Sequence, residues 1–462
     1  MTAGPSPARG DAGTAAGVRV AALLGAGCFA IIALLGQGAA FALRLVSSGR
    51  LSPDASARLG WLYLGAFHHI PIVVNLPKLD VGRLTGGVVP GSTLPTTGSA
   101  SGELGVAMLL VTGLAAWLLF LAGRRAASAG GGRPFARTLL GAAVAPTYAL
   151  PIFALSVLVR LHADLTFGTL ASGSLDARLS PVPALVLPFL LAAIAGGAGG
   201  FLSMPAENAS ARARRTMGAL AGGTRMLLLA IGLSFAGLFV AGAVQPDGPA
   251  AALTPSTATY FRGVFDRPLA GLALFAHHVA VMPNEGLWTL VPALGGCDGA
   301  SGSESGAFLC YWRFPDSVTL PVPGASDGGS TSVSVGARFG SAPLPYLAFL
   351  IVPAAAAYWG GRHGASRAQA SARREATAVG GAAGVVFAGL VGAVGLLSTV
   401  SVTYAADFQG SGAAGSIRTG PFVLSGAALA LAWGTVFGSL GGRAHARSAE
   451  AASVPSGSVS GS

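Results

Sequence analysis

Eight stretches of seventeen to twenty-seven residues contain no Asp, Glu, Lys or Arg, and nothing else constrains the fold of this chain so strongly. They run roughly from Val20 to Leu43, Leu104 to Gly123, Thr138 to Val159, Pro181 to Ser203, Met226 to Val244, Leu344 to Gly360, Thr377 to Thr403 and Gly420 to Leu440. About twenty apolar residues in a helix cross the hydrocarbon core of a bilayer. Only helices and closed barrels satisfy their backbone there. The expectation is an all-α polytopic transmembrane helix bundle of about eight spans. Composition agrees, with 52% of the 462 residues hydrophobic and 10% charged, too little charge to cover a soluble surface of that size.

Charge sets the orientation. With the N-terminus inside, the inner segments hold Arg9, Arg19, Arg124, Arg125, Arg133, Arg137, Arg212, Arg214, Arg215, Arg225, Arg362, Arg367, Arg373, Arg374, Arg443 and Arg447 against Asp11, Glu207, Glu375 and Glu450. The outer segments are nearly balanced. By the positive-inside rule this predicts a multi-pass plasma-membrane protein with both termini cytoplasmic. Residues 1–18 and 443–462 read as disordered cytoplasmic tails and 204–225 as a cytoplasmic linker. The basic excess thus belongs to topology, and no nucleic acid is expected as a partner. The first span lacks a signal-cleavage pattern and reads as retained. Cys28 follows Gly25-Ala26-Gly27, without the leucine of a lipidation box, so it reads as part of a plain helix.

Two shorter apolar segments carry adjacent histidines, Trp61 to Pro77 and Leu269 to Pro283. Broken by Pro71, Pro77 and Pro283, they are expected as short re-entrant or interfacial pieces on the outer side. They also point to a duplication. His68 matches His277 at an offset of 209, and later features keep an offset near 240: Arg124-Arg125 with Gly361-Arg362, Thr138 with Thr377, Pro181 with Pro421. The expected organisation is one four-span repeat over 19–203, with histidine segment 61–77, and a second over 226–442, with histidine segment 269–283 and outer loop 284–343. An even number of spans per half makes the repeat parallel rather than inverted. Small residues recur every fourth position at Ala192, Gly196 and Gly200, at Gly380, Gly384, Ala388 and Gly392, and at Gly434, Gly438 and Gly442. Such stripes let membrane helices approach closely.

Chemistry-bearing residues are few. His68, His69, His277, His278 and Glu285 form the candidate polar cluster, because imidazole binds metals and titrates near neutrality. Adjacent histidines point to different faces, however, whereas a helical metal pair is spaced i, i+4. Anchoring at the membrane interface is therefore expected, and neither a metal nor a cofactor. Three cysteines do not make a four-ligand metal framework, and Cys297 and Cys310 are expected to close a disulfide over a Gly/Ser-rich outer loop. None of the spans carries the intramembrane charge usual in ion-coupled pumps. Walker, His-Glu-x-x-His and Gly-x-Ser-x-Gly motifs are missing from the sequence, so no enzyme is expected. Pro146, Pro151, Pro183 and Pro188 bear on the rival reading, a transporter or channel for a small neutral or amphiphilic molecule, since they could kink two spans around a cavity.

The eight-span layout, the outer histidine segments, the run Pro283-Asn284-Glu285-Gly286-Leu287-Trp288 and the glycine-rich stretch from Ser332 to Gly340 before Pro343-Leu344-Pro345 carry a resemblance. The chain resembles the actinobacterial multi-spanning membrane family that includes the mycobacterial cell-division and envelope protein PerM. The resemblance implies a non-catalytic scaffold or accessory protein of the cell envelope, whose partners are the lipid bilayer and other membrane or division proteins. It implies no active-site residues.

Overall fold

The computed structural model describes residues 8–47, 51–80, 97–131, 133–167, 171–204, 209–244, 265, 268–302, 306–310, 318–321, 332–335, 348–408 and 411–453. In chain order the first half holds α1 (Ala8–Val46), α2 (Pro53–His68), β1 (Ile72–Asp80), β2 (Thr97–Gly105), α3 (Leu109–Gly130), α4 (Pro134–Ala142), α5 (Ala145–Leu158), β3 (Leu161–Phe167), β4 (Ala171–Leu179) and α6 (Pro181–Leu202). The second half holds α7 (Ala211–Val244), α8 (Pro268–Ala293), β5 (Cys297–Gly302), β6 (Gly306–Cys310), β7 (Val318–Pro321), β8 (Ser332–Val335), α9 (Ile351–Arg367), α10 (Arg373–Ser398), β9 (Val400–Phe408), β10 (Ser411–Pro421) and α11 (Val423–Ser453).

Among the described residues seven helical segments are long and apolar enough to cross a membrane, in α1, α3, the successive α4 and α5, α6, α7, α10 and α11. By length and composition the chain is a multi-pass membrane protein. The eighth expected run, Leu344 to Gly360, lies partly outside the described residues; its helix α9 has 17 residues and packs on α7 and α11. The tails also need correcting. α1 starts at Ala8 and α11 continues to Ser453, inside both stretches expected as disordered. Alanine is abundant in both and is the strongest helix former.

Neither histidine segment is irregular. Pro53 opens α2, and the Ser52 hydroxyl caps it by accepting from the Ala55 amide at 3.1 Å. The helix ends when His69 turns left-handed at φ 57°, and Ile70 N then donates to Gly65 O at 2.9 Å. The second segment lies inside the longer α8, which runs on through Pro283 and Pro292. That helix ends in the same manner, with Gly295 at φ 97° and Gly296 N donating to Val291 O at 2.9 Å.

To the helical bundle an eight-stranded antiparallel sheet must be added, in the order β3-β4-β1-β2-β9-β10-β5-β6, with β7 and β8 forming a separate pair. In the larger sheet β1, β3, β5 and β9 each follow a helix, and β2, β4 and β10 each lead into one. Their order within the first half, β3-β4-β1-β2, recurs in the second as β9-β10-β5-β6. Matching hydrogen bonds fix the alignment: Ser180 N donates to Pro71 O at 2.9 Å, and Phe422 N to Cys297 O at 3.0 Å. Pro71 thus stands level with Cys297, and His68-His69 with Leu294-Gly295. The expected match of His68 to His277 does not hold. Gly60-Trp61-Leu62-Tyr63-Leu64 corresponds instead to Gly286-Leu287-Trp288-Thr289-Leu290.

Glycine contacts set the helix crossings. A Cβ on Gly196 of α6 would run into the backbone of Gly141, and one on Gly123 into that of Gly196. In the second half Gly438 of α11 meets Gly361 and Gly380 in the same way. Gly384 and Gly434 also meet, whereas Gly392 of the same stripe has only ordinary contact with Ala427. Backbones therefore touch where the stripes cross, which substitutes in lipid for hydrophobic burial.

Candidate functional site

His68, the last residue of α2, is 3% exposed. Its Nδ1 lies 2.8 Å from the carbonyl of Leu64, one turn earlier. A carbonyl only accepts, so Nδ1 carries the proton and Nε2 is left as acceptor. The Tyr148 hydroxyl of α5 donates to that Nε2 at 2.7 Å. Burial, offset in part by the Leu64 bond, pushes the imidazole down to about 4. At neutral pH this is an uncharged, doubly hydrogen-bonded ring.

His277 in α8 has the same arrangement. Its Nδ1 donates to Ala273 O at 2.7 Å, and its Nε2 accepts from the Tyr63 hydroxyl at 2.7 Å. Tyr63 belongs to α2, so this bond joins the two halves. Asn284, on the same helix, makes a second joint: its Oδ1 accepts from Leu109 N at 3.0 Å and its Nδ2 donates to Ala107 O at 2.7 Å. Leu109 is the first residue of α3, whose leading amides have no partner within their own helix. A side chain from the second half thus caps a helix of the first.

The other candidates lie apart from these. His69 is held by backbone geometry; its Nδ1 is buried without a hydrogen-bond partner among the described residues, and burial followed by the positive charge of Arg418 lowers its pKa. His278 is 4% exposed, and its Nδ1 stands 3.5 Å from Glu285 Oε1. Burial lowers the pKa of His278 and raises that of Glu285 to about 7, so both are driven toward their neutral forms. His68 and His277 are held by separate hydrogen bonds, and no group of three or more His, Cys, Asp or Glu able to hold a metal occurs among the described residues. Cys297 is disulfide-bonded, and the β5–β6 ladder sets Cys310 opposite it; the side chain of Cys310 lies outside the described residues.

Tyr63, Tyr148 and Asn284 were not among the residues singled out by sequence. For Tyr148 a signal becomes visible on alignment of the halves. The glycine crossings put Gly141 level with Gly380, hence Tyr148 level with Phe387, and the helix ends put His68 level with Leu294. Phe387 and Leu294 are 0% and 2% exposed and share one apolar cluster. The hydrogen-bonded His–Tyr pair of the first half is thus replaced by a hydrocarbon pair in the second.

No protein-family model matches the chain, and neither a curated protein nor a solved structure matches it.

Proposed function

We propose that this is a non-catalytic scaffold or accessory protein of the cell envelope, built from two like four-span halves in the plasma membrane with both termini cytoplasmic. The observation that carries this reading is the exchange of His68–Tyr148 for Leu294–Phe387 at equivalent places. A catalytic imidazole needs a free nitrogen, whereas a structural pair can be replaced by apolar groups of like shape at little cost. The bonds of Tyr63 with His277 and of Asn284 with α3 have a structural task, joining the two halves. The resemblance to the envelope and cell-division family favours the same reading, with other membrane proteins as partners. The outer sheet, lying over both halves, offers a platform for them.

The second reading is a transporter of a small neutral or amphiphilic molecule. It is favoured by Pro151 and Pro188 inside α5 and α6 and by the buried Oε2 of Glu285, which has no hydrogen-bond partner among the described residues. The two are separated by purifying the tagged full chain from its native membranes and identifying what co-purifies reproducibly and reciprocally. Parallel samples of the protein alone are reconstituted in vesicles and assayed for solute release. Specific membrane partners with no solute movement support the scaffold; movement that depends on Glu285 and needs no partner defeats it.

A further inference from the structure

The outer sheet has a direction. Every neighbouring pair in β3-β4-β1-β2-β9-β10-β5-β6 is antiparallel, so β3 runs the same way as β9, and β2 the same way as β6. Where the halves join, β2 pairs with β9 through seven residue pairs, from Ser99↔Asp407 to Gly105↔Ser401. The two edges in this contact are different surfaces, which makes the contact heterologous. Each half has one edge of each kind. One join consumes one of each and leaves one of each, namely β6, which occupies in the second half the place of β2, and β3, which occupies in the first the place of β9.

Both leftover strands stand at the ends of the sheet, and among the described residues neither pairs on its outer side. The helices show the same asymmetry. α8 of the second half packs on α1 and α3 of the first, whereas α2, its counterpart, has no packing of that extent on α7 or α9. Among the described residues the internal join therefore does not close on itself within one chain. An unpaired edge is a row of amides and carbonyls ready for another strand.

We propose that the strand completing this sheet comes from a second copy of the chain, whose β6 docks antiparallel beside β3, so that copies associate head to tail in the plane of the membrane. The occupant is specified by the join itself: β9 is what the β2 edge accepts, and β3 is the equivalent of β9. Carrying the register of the join across gives a residue-level expectation. Leu104 faces Ile72 on one side and Val402 on the other, and Leu309 faces Asp298, which is level with Ile72. Leu309 of one copy should then face Ala163 of the next, and Ala307 should face Leu165. This association does not depend on what the scaffold binds.

The test uses full-length chains with Cys28 replaced by alanine, co-expressed in one membrane with two different tags. One copy carries Ala163→Cys and the other Leu309→Cys. Mild oxidation should give a cross-linked species bearing both tags, at least tenfold above that from a control pair of Ser174→Cys with Leu309→Cys, since Ser174 lies on the interior strand β4. Wild-type protein extracted in its native lipid should also have at least twice the chain's mass. A wild-type monomer without cross-links overturns the proposal, as does a multimer that never joins 163 to 309. A double variant in one chain that cross-links only within itself overturns it as well, because the sheet would then be closing on its own other edge.

Discussion

The Tyr63 hydroxyl and Nε2 of His277, 214 residues apart in sequence, are 2.7 Å apart in the folded chain. Tyr63→Phe removes the one donor to this nitrogen among the described residues and leaves a half-buried acceptor unmatched. We expect a loss of about 1–3 kcal/mol in stability. Adding His277→Leu should restore part of it. Thermal unfolding of the solubilised full chain measures both, and an unchanged melting temperature in Tyr63→Phe would show that the bond contributes nothing.

The second half already contains an apolar version of the His68–Tyr148 pair. His68→Leu alone should cost about 1–3 kcal/mol by stranding the Tyr148 hydroxyl. The double variant His68→Leu/Tyr148→Phe should come back close to wild type, and a double-mutant cycle reads the difference. Simple addition of the two single losses would contradict the idea that the pair is interchangeable with Leu294 and Phe387.

Stability should depend on pH through buried groups of opposite sign, and His68 and Glu285 give one window each. In the unfolded chain His68 takes up a proton near pH 6.5, in the folded chain only near 4. Its contribution is fully present above 6.5 and drains as pH falls to 4, by about 3 kcal/mol in all. Glu285 has its folded pKa raised from 4.5 to about 7, so its contribution is present below 4.5 and is lost as pH rises through 7. Melting curves across pH 4 to 9 should fall at both ends. The acid fall should shrink in His68→Leu/Tyr148→Phe and the alkaline fall in Glu285→Gln.

Reduction of the bond at Cys297 should loosen the sheet end built from β5 and β6. For a loop of this length the entropic model gives about 3 kcal/mol. Cys297→Ser should lower the melting temperature and raise protease cleavage between β5 and β6, while a reductant should leave that variant unaffected. Equal loss of stability on adding reductant to wild type and to Cys297→Ser would refute the assignment.

Gly438→Leu should be among the most damaging single changes, because the side chain would enter the backbone of Gly380 and the side chain of Met226. We expect a loss of roughly 3 kcal/mol or more. Gly392→Leu, where the neighbour is only the Ala427 side chain, should be mild. Expression and melting temperature of the two variants compare them directly.

Seven of the spans and the glycine crossings were legible because each follows from local composition: a charge-free run, or a small residue every fourth position. The sheet was not. β2 reads Thr97-Gly98-Ser99-Ala100-Ser101-Gly102-Glu103-Leu104-Gly105, with no β-branched core and no alternation, and its partner β9 lies some three hundred residues away. Only long-range pairing makes it a strand. The histidine pairs misled because identical dipeptides attract attention, whereas the true correspondence runs through Gly60-Trp61-Leu62 and Gly286-Leu287-Trp288, whose aromatic has shifted by one place. Asn284 stood inside a run that had been noticed, but its role as a cap needs backbone from another helix, which no local pattern reveals.

The reach of Asn284 also imposes an order in time. Leu109 leaves the ribosome 175 residues before the side chain that accepts from its amide. At ordinary elongation rates this is a delay of roughly 10 to 35 s. For that interval the Leu109 amide at the start of α3 lacks the side-chain oxygen that receives it in the finished fold, and a product that ends before Asn284 never gains it.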